Sequence, residues 1–210
     1  ASISTLLGTI PIYIKTSKKL IIGVFKVSFI TLMIVSLLEL IPDSIKLIND
    51  NYNIYLSILI AIILFTLGLF TTKCLDNKVG EGNTYYRIGI ISMIAMILHN
   101  IPEGIITYIT TTNDFKLGLL VTITILFHNI PEGLIIALPI YYATKKRGKA
   151  ILYTLLSGTS ELLGAVLSYL FLSKLINNFI LGLIYSFTAG IMIYVSLFEL
   201  LPFIKRKKEG

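Results

Sequence analysis

Long apolar stretches separated by short polar segments rich in Lys and Arg set the pattern of this chain. A helix that crosses a bilayer takes about 20 mostly apolar residues. Such stretches run at roughly 20–42, 54–72, 88–112, 117–142, 150–173 and 179–204. Residues 1–14 are apolar but too short to cross alone, and the chain starts at Ala1 rather than methionine, so they read as the tail of a trimmed first span. The pattern predicts an all-α integral membrane protein, a helical bundle of seven spans with the first incomplete.

Composition agrees. Of 210 residues, 55% are hydrophobic and 14% charged, and the mean hydropathy is +0.87, more apolar surface than a soluble domain of this size could bury. Residues 1–210 read as a single transmembrane domain, with no separate cleavable signal peptide. The lone cysteine, Cys74, excludes an internal disulfide. A net charge of +7 raises the question of nucleic acid, but the basic residues sit in short clusters between apolar runs, so no nucleic acid is expected as a partner.

Those clusters carry an orientation. Basic-rich segments (Lys15, Lys18 and Lys19; Lys73, Lys78 and Arg87; Lys145, Lys146, Arg147 and Lys149; Lys205, Arg206, Lys207 and Lys208) alternate with segments holding one lysine each (Lys46, Lys116, Lys174). Basic-rich loops face the cytoplasm, which predicts a multi-pass protein of the cytoplasmic membrane with its N-terminus outside. Lys26 lies inside a span near its cytoplasmic end, where snorkelling accounts for it. Tyr85, Tyr86, Tyr141 and Tyr142 near span ends read as interface anchors.

Two internal repeats stand out. His99-Asn100-Ile101-Pro102-Glu103-Gly104 recurs letter for letter as His128-Asn129-Ile130-Pro131-Glu132-Gly133, in the next span. Ser36-Leu-Leu-Glu39-Leu-Ile-Pro42 matches Ser196-Leu-Phe-Glu199-Leu-Leu-Pro202, 160 positions later and five spans on. In both cases the matching helices run antiparallel, which implies a pseudo-two-fold axis in the membrane plane. Many secondary transporters have this inverted-repeat architecture, with sites near the midplane.

The hexapeptides carry the chemistry. Histidine, asparagine and glutamate are costly in hydrocarbon, and these are the chain's only two histidines. At i, i+1 and i+4 the three side chains fall side by side within about a quarter of a helical turn. Pro102 and Pro131 lack an N–H, so the carbonyls of Leu98 and Phe127 lose their partners. From the turn near Asn113, His99 and His128 lie at roughly 20 Å and 18 Å of helix respectively, at about 1.5 Å per residue, hence at similar depth. Glu161 lies about as far beyond the 143–149 loop as Glu132 lies before it, after the small polar stretch Ser157-Gly158-Thr159-Ser160.

Three carboxylates converging at one buried point repel unless a cation neutralises them, and one or two divalent metals would do so. Imidazole with carboxylate suits zinc, iron, manganese or cobalt, and the lack of sulfur ligands argues against copper(I). Glu39 and Asp43 on one side and Glu199 on the other would mark the mouths of a path.

These motifs resemble those of the ZIP (Zrt/Irt-like protein) family of divalent-metal transporters, in particular its bacterial branch. The carriers are HNIPEG at 99–104, HNIPEG at 128–133, SGTSE at 157–161 and the LELIP and FELLP helix ends. The resemblance implies eight helices arranged three plus two plus three, with a binuclear site between the fourth, fifth and sixth. His99, Glu103, His128 and Glu132 would bind one metal. Asn100, Asn129 and Glu161 would complete the second, with Glu103 and Glu132 bridging. The chain departs from the family in ending after its seventh span, without the eighth helix, and in having Leu162 where proline usually follows the sixth-helix glutamate.

The function expected is uptake of a divalent cation, zinc foremost, with iron, manganese, cobalt or cadmium as alternatives. The metal is transported substrate, one ion or two per chain, and the mechanism is alternating access. The chain is not expected to be an enzyme. Its partners would be the metal and the lipid bilayer, with a homodimer left open. A metal-selective channel, a membrane di-metal carboxylate enzyme and mere hydrogen-bonded glue between helices are the rival readings. Di-iron bundles, however, use Glu-x-x-His at i, i+3 rather than His first at i, i+4.

Overall fold

The computed structural model describes residues 2–14, 18–79, 83–172 and 177–206. Ala1, Lys15, Lys174, Lys207 and Lys208, which entered the sequence argument, lie outside the described residues. A short helix α1 (Ser4–Leu7) and a 3₁₀ turn (Ile10–Tyr13) precede six long apolar helices, among the described residues. The first of the six joins α2 (Lys18–Ile34), a π-helical stretch (Val35–Leu40) and α3 (Ile41–Asn49). Then come α4 (Ile54–Val79), α5 (Thr84–Asn113), α6 (Phe115–Thr144) and α7 (Arg147–Leu167) with a π-helical extension (Ser168–Leu172). The sixth joins α8 (Asn178–Tyr194), a π-helical stretch (Val195–Leu200) and α9 (Leu201–Arg206). The incomplete first span of the sequence reading corresponds to α1 with its 3₁₀ turn.

Exposed Ile58, Leu59, Ile62, Ile63, Leu67 and Phe70 coat α4, and Leu119, Ile123 and Phe127 lie exposed on α6. Apolar surface of this extent suits contact with hydrocarbon rather than water. The rings of Tyr85 and Tyr142 lie tilted with centroids 5.7 Å apart, Tyr86 and Tyr153 share a hydroxyl–hydroxyl hydrogen bond of 3.3 Å, and Lys145 and Lys149 lie over the rings of Tyr142 and Tyr86. This aromatic and basic end of the bundle has the composition of a membrane interface.

Proline does not end the helices it was expected to end. The span read as stopping at 42 runs to Asn49, and Pro202 likewise lies inside a continuing helix. A widened turn absorbs each ring: Ile41 N–H bonds to Ser36 C=O, and Leu201 N–H bonds to Ser196 C=O. An i to i+5 bond adds a residue to the turn, so the helix passes a residue that has no N–H of its own. The two SLxEL segments therefore repeat in backbone conformation as well as in letters.

The pairings exchange as an inverted repeat requires. α2 packs on α6 as α8 packs on α5, α1 on α6 as α7 on α5, and α2 on α9 as α8 on α3. Glycines set the closest approaches. A Cβ added at Gly104 would land on the Glu161 carbonyl oxygen of α7, and one at Gly133 on the Thr5 carbonyl oxygen of α1. Small residues let membrane helices come this close.

The α5–α6 hairpin fixes depth. Its only connecting residue is Asp114, whose side chain accepts hydrogen bonds from the N–H groups of Lys116 (2.8 Å) and Leu117 (3.1 Å). His99 lies fifteen residues before Asp114 and His128 fourteen after it, so both hexapeptides sit mid-helix at one level.

Candidate metal centre

Each hexapeptide turns its polar face towards the other. Glu103 Oε1 lies 2.6 Å from His128 Nε2 and 3.0 Å from His99 Nε2, and Glu132 Oε1 lies 3.3 Å from His99 Nε2. A ring nitrogen each of His99 and His128 and a Glu132 oxygen form a cluster whose atoms all lie within 4.8 Å of one another. Two ligands each about 2.0–2.1 Å from a tetrahedral zinc ion lie roughly 3.3 Å apart, the separation of His99 Nε2 from Glu132 Oε1. All four side chains are buried.

Beside this group lie unsatisfied oxygens. Glu103 Oε2, Glu132 Oε2, Asn100 Oδ1 and Asn129 Oδ1 are buried with no hydrogen-bond partner among the described residues. Such atoms are costly unless something occupies the space they face. The amide nitrogens are engaged: Asn129 Nδ2 donates to Glu161 Oε2 at 3.0 Å, and Asn100 Nδ2 donates to the Ser157 carbonyl at 3.1 Å. Glu161 thus joins the outer edge of the cluster, and the SGTS stretch before it supplies the backbone acceptor. Each glutamate of the hexapeptides has one oxygen among the imidazoles and one free.

A cavity of about 260 Å³ opens from this group. His99, Glu103 and His128 stand at its base, and Glu39 and Asp43 line it further out. Both acids are solvent-exposed, so the carboxylates read as mouth residues share a continuous space with the cluster. Glu199 does not. It is buried at the far end of the bundle, where Arg87 Nη2 donates to its Oε1 at 3.1 Å. Arg87 Nε also lies 3.5 Å from Asp76 Oδ1, and the Tyr194 hydroxyl donates to Asp76 Oδ2 at 2.9 Å.

Two features escaped the sequence reading. Arg87 entered it only as an orientation charge and Asp76 not at all, because 73–87 reads as a polar loop, whereas α4 continues to Val79 and carries Asp76 inward. The second is a third repeat: Ser4-Thr5-Leu6-Leu7-Gly8 matches Ser160-Glu161-Leu162-Leu163-Gly164, which makes Thr5 the counterpart of Glu161. The signal was legible, but its spacing of 156 lies four positions off the longer repeat.

Comparison with known proteins gives these features a family. The family model described as "ZIP Zinc transporter" matches residues 72–209, which include both hexapeptides and Glu161. A protein named Zinc transporter ZupT from Oceanobacillus iheyensis is 49% identical over 124 residues, 59% of this chain and 46% of that protein. One of the same name from Clostridium perfringens is 43% identical over 138 residues, 64% of this chain and 48% of its own length. A third, from Xanthomonas axonopodis pv. citri, is 37% identical over 192 residues, 84% of this chain and 71% of its own. The chain thus spans about half the length of the first two relatives and more of the third. With the family model covering about two thirds of the chain and a relative 37% identical along 84% of it, the chain belongs to the ZIP zinc transporter family.

Proposed function

We propose that the chain takes up divalent metal, zinc foremost, across the cytoplasmic membrane, with the cluster of His99, Glu103, His128 and Glu132 as the principal binding site. The observation that carries the reading is the convergence of two imidazoles and two carboxylates from antiparallel helices at the base of an open cavity. The names of the relatives supply zinc as the first candidate. Iron, manganese, cobalt and cadmium are alternative cargoes on ligand chemistry alone.

A second ion, held by Asn100, Asn129 and Glu161 and bridged by Glu103 and Glu132, would satisfy the four unpartnered oxygens. Metal would enter past Glu39 and Asp43, from outside if the N-terminus is outside, and shed its water into the cage. A contrast between repeat-related residues supports alternating access. The cavity walls include Leu120, Thr124 and Ile125 on α6 and Val35 and Leu40 beside α3. Leu120 and Thr124 are exposed, whereas their counterparts Ile91 and Ala95 are buried in the packed core; Ile125, Val35 and Leu40 are buried, as are their counterparts Met96, Val195 and Leu200. One half is open where the other is shut, and exchanging the two conformations would move the opening to the other face.

Radiometal uptake into proteoliposomes tests the reading. Saturable uptake by the wild-type protein, lost with Glu103→Ala plus Glu132→Ala, is the expected result. Unchanged uptake in the double variant would remove the assigned site.

A further inference from the structure

The repeat places a basic residue at one position in both halves, and only one of the two is engaged. The 29-residue spacing that relates His99 to His128 and Glu103 to Glu132 also relates Arg87 to Lys116. The 160-residue spacing relates Glu199 to Glu39. On the closed side Arg87 and Glu199 form an ion pair of 3.1 Å. On the open side Lys116 and Glu39 are both exposed, and neither is in an ion pair among the described residues.

Position supports the equivalence. Lys116 precedes Leu120 and Thr124 by one and two helical turns, and both line the cavity, so Lys116 starts from the face of α6 that borders its mouth. Arg87 stands in the same relation to Ile91 and Ala95, which are buried where the cavity's counterpart would be. A second contrast runs in parallel. On the closed side Ser28 Oγ donates to the Pro131 carbonyl at 3.1 Å. Their counterparts, Thr188 and Pro102, both line the open cavity.

We propose that Lys116 is the latch of the opposite state: when the Glu39 side closes, Lys116 pairs with Glu39 as Arg87 now pairs with Glu199, and the Arg87–Glu199 pair parts. The proposal rests on the alternating-access reading. Its physical content is balance. Each state keeps one ion pair, so opening one mouth loses a contact that closing the other restores, and the two states stay near enough in free energy for a small bound ion to shift them.

The test reads accessibility rather than transport. In a Cys74→Ser background, Leu120→Cys reports the open cavity and Ile91→Cys its shut counterpart. Each is modified by a membrane-impermeant maleimide, in whole cells and in inside-out vesicles. Lys116→Ala is expected to raise the Leu120→Cys rate and lower the Ile91→Cys rate, changing the ratio of the two by about threefold, the scale of a solvent-accessible ion pair. Arg87→Ala is expected to do the reverse. Lys116→Arg keeps both rates at the parental value, and Glu39→Gln reproduces Lys116→Ala while adding nothing to it in the double variant. Rates that stay put with Lys116→Ala, or move in the direction of Arg87→Ala, overturn the latch and leave alternating access standing. A parental protein whose Ile91→Cys is never modified from either face removes alternating access itself, and the latch with it.

Discussion

Glu103 Oε1 approaches His128 Nε2 to 2.6 Å, joining the carboxylate of one hexapeptide to the imidazole of the other. The two residues are not repeat counterparts, since Glu103 corresponds to Glu132 and His99 to His128. The contact is possible because the i, i+4 spacing puts acid and imidazole on one helix face, and the single-residue turn at Asp114 brings the two faces to one level. A side-chain cluster shared in this way between antiparallel halves lies near the axis that relates the two repeats.

Removing one ligand from this group is expected to cost more than altering its surroundings, and changes to the surroundings of a metal typically cost 10–100-fold in affinity. Glu103→Gln keeps the shape but loses the charge and an oxygen donor. Zinc affinity of the purified protein, measured by competition with a chromogenic chelator, is therefore expected to fall by at least about tenfold. Wild-type affinity in this variant would show that Glu103 is not a ligand.

The unpartnered oxygens of Asn100 and Asn129 lead to a separate expectation about stoichiometry. Asn129→Ala and Glu161→Ala are expected to lower bound zinc from two ions to one per chain, leaving the histidine site filled. Elemental analysis after dialysis against buffered zinc checks this. A wild-type value of one, unchanged in both variants, would reject the second ion.

How much of this could be read from letters differs from one feature to the next. The hexapeptides announced themselves because His, Asn and Glu have no cheap reason to sit in hydrocarbon, and their common depth followed from a short turn. Helix ends were misjudged at Pro42, since the i to i+5 bond from Ile41 to Ser36 is a backbone adjustment with no side-chain signature. Asp76 looked like part of a loop, because Lys73, Asp76 and Lys78 read as polar until the helix is seen to continue through them. Which side of the repeat is open depends on packing of the same residue types in two arrangements, so no residue pattern encodes it.

Acidity is expected to weaken binding. Imidazole must be neutral and carboxylate ionised to hold metal, so binding releases any proton these groups carry, and lowering the pH restores the competitor. Apparent zinc affinity is thus expected to fall steadily as the medium is acidified, with a slope that counts protons released per ion. Calorimetry in buffers of different ionisation enthalpy measures that count directly, and a slope of zero across the range would exclude titrating ligands from the site.

The glycine that closes each hexapeptide has a structural task that differs from its neighbours' chemistry. At Gly104 a Cβ would meet the Glu161 carbonyl oxygen, and at Gly133 the Thr5 carbonyl oxygen. Both obstacles are backbone atoms of a packed helix, which cannot rotate aside as a side chain would. Overpacking of this kind costs roughly 1–3 kcal/mol. Gly104→Ala and Gly133→Ala are each expected to lower the thermal midpoint in detergent by several degrees, at roughly 2–4 °C per kcal/mol for a chain of this length. Gly148 on α7 has no atom within 4 Å of an added Cβ, so Gly148→Ala serves as the control and is expected to leave the midpoint unchanged or raise it. Because the Gly104 contact also sets how closely α7, with Ser157 and Glu161, approaches Asn100, Gly104→Ala is expected to weaken the second ion more than the first. Equal loss at both sites would point to general unfolding instead of a displaced α7.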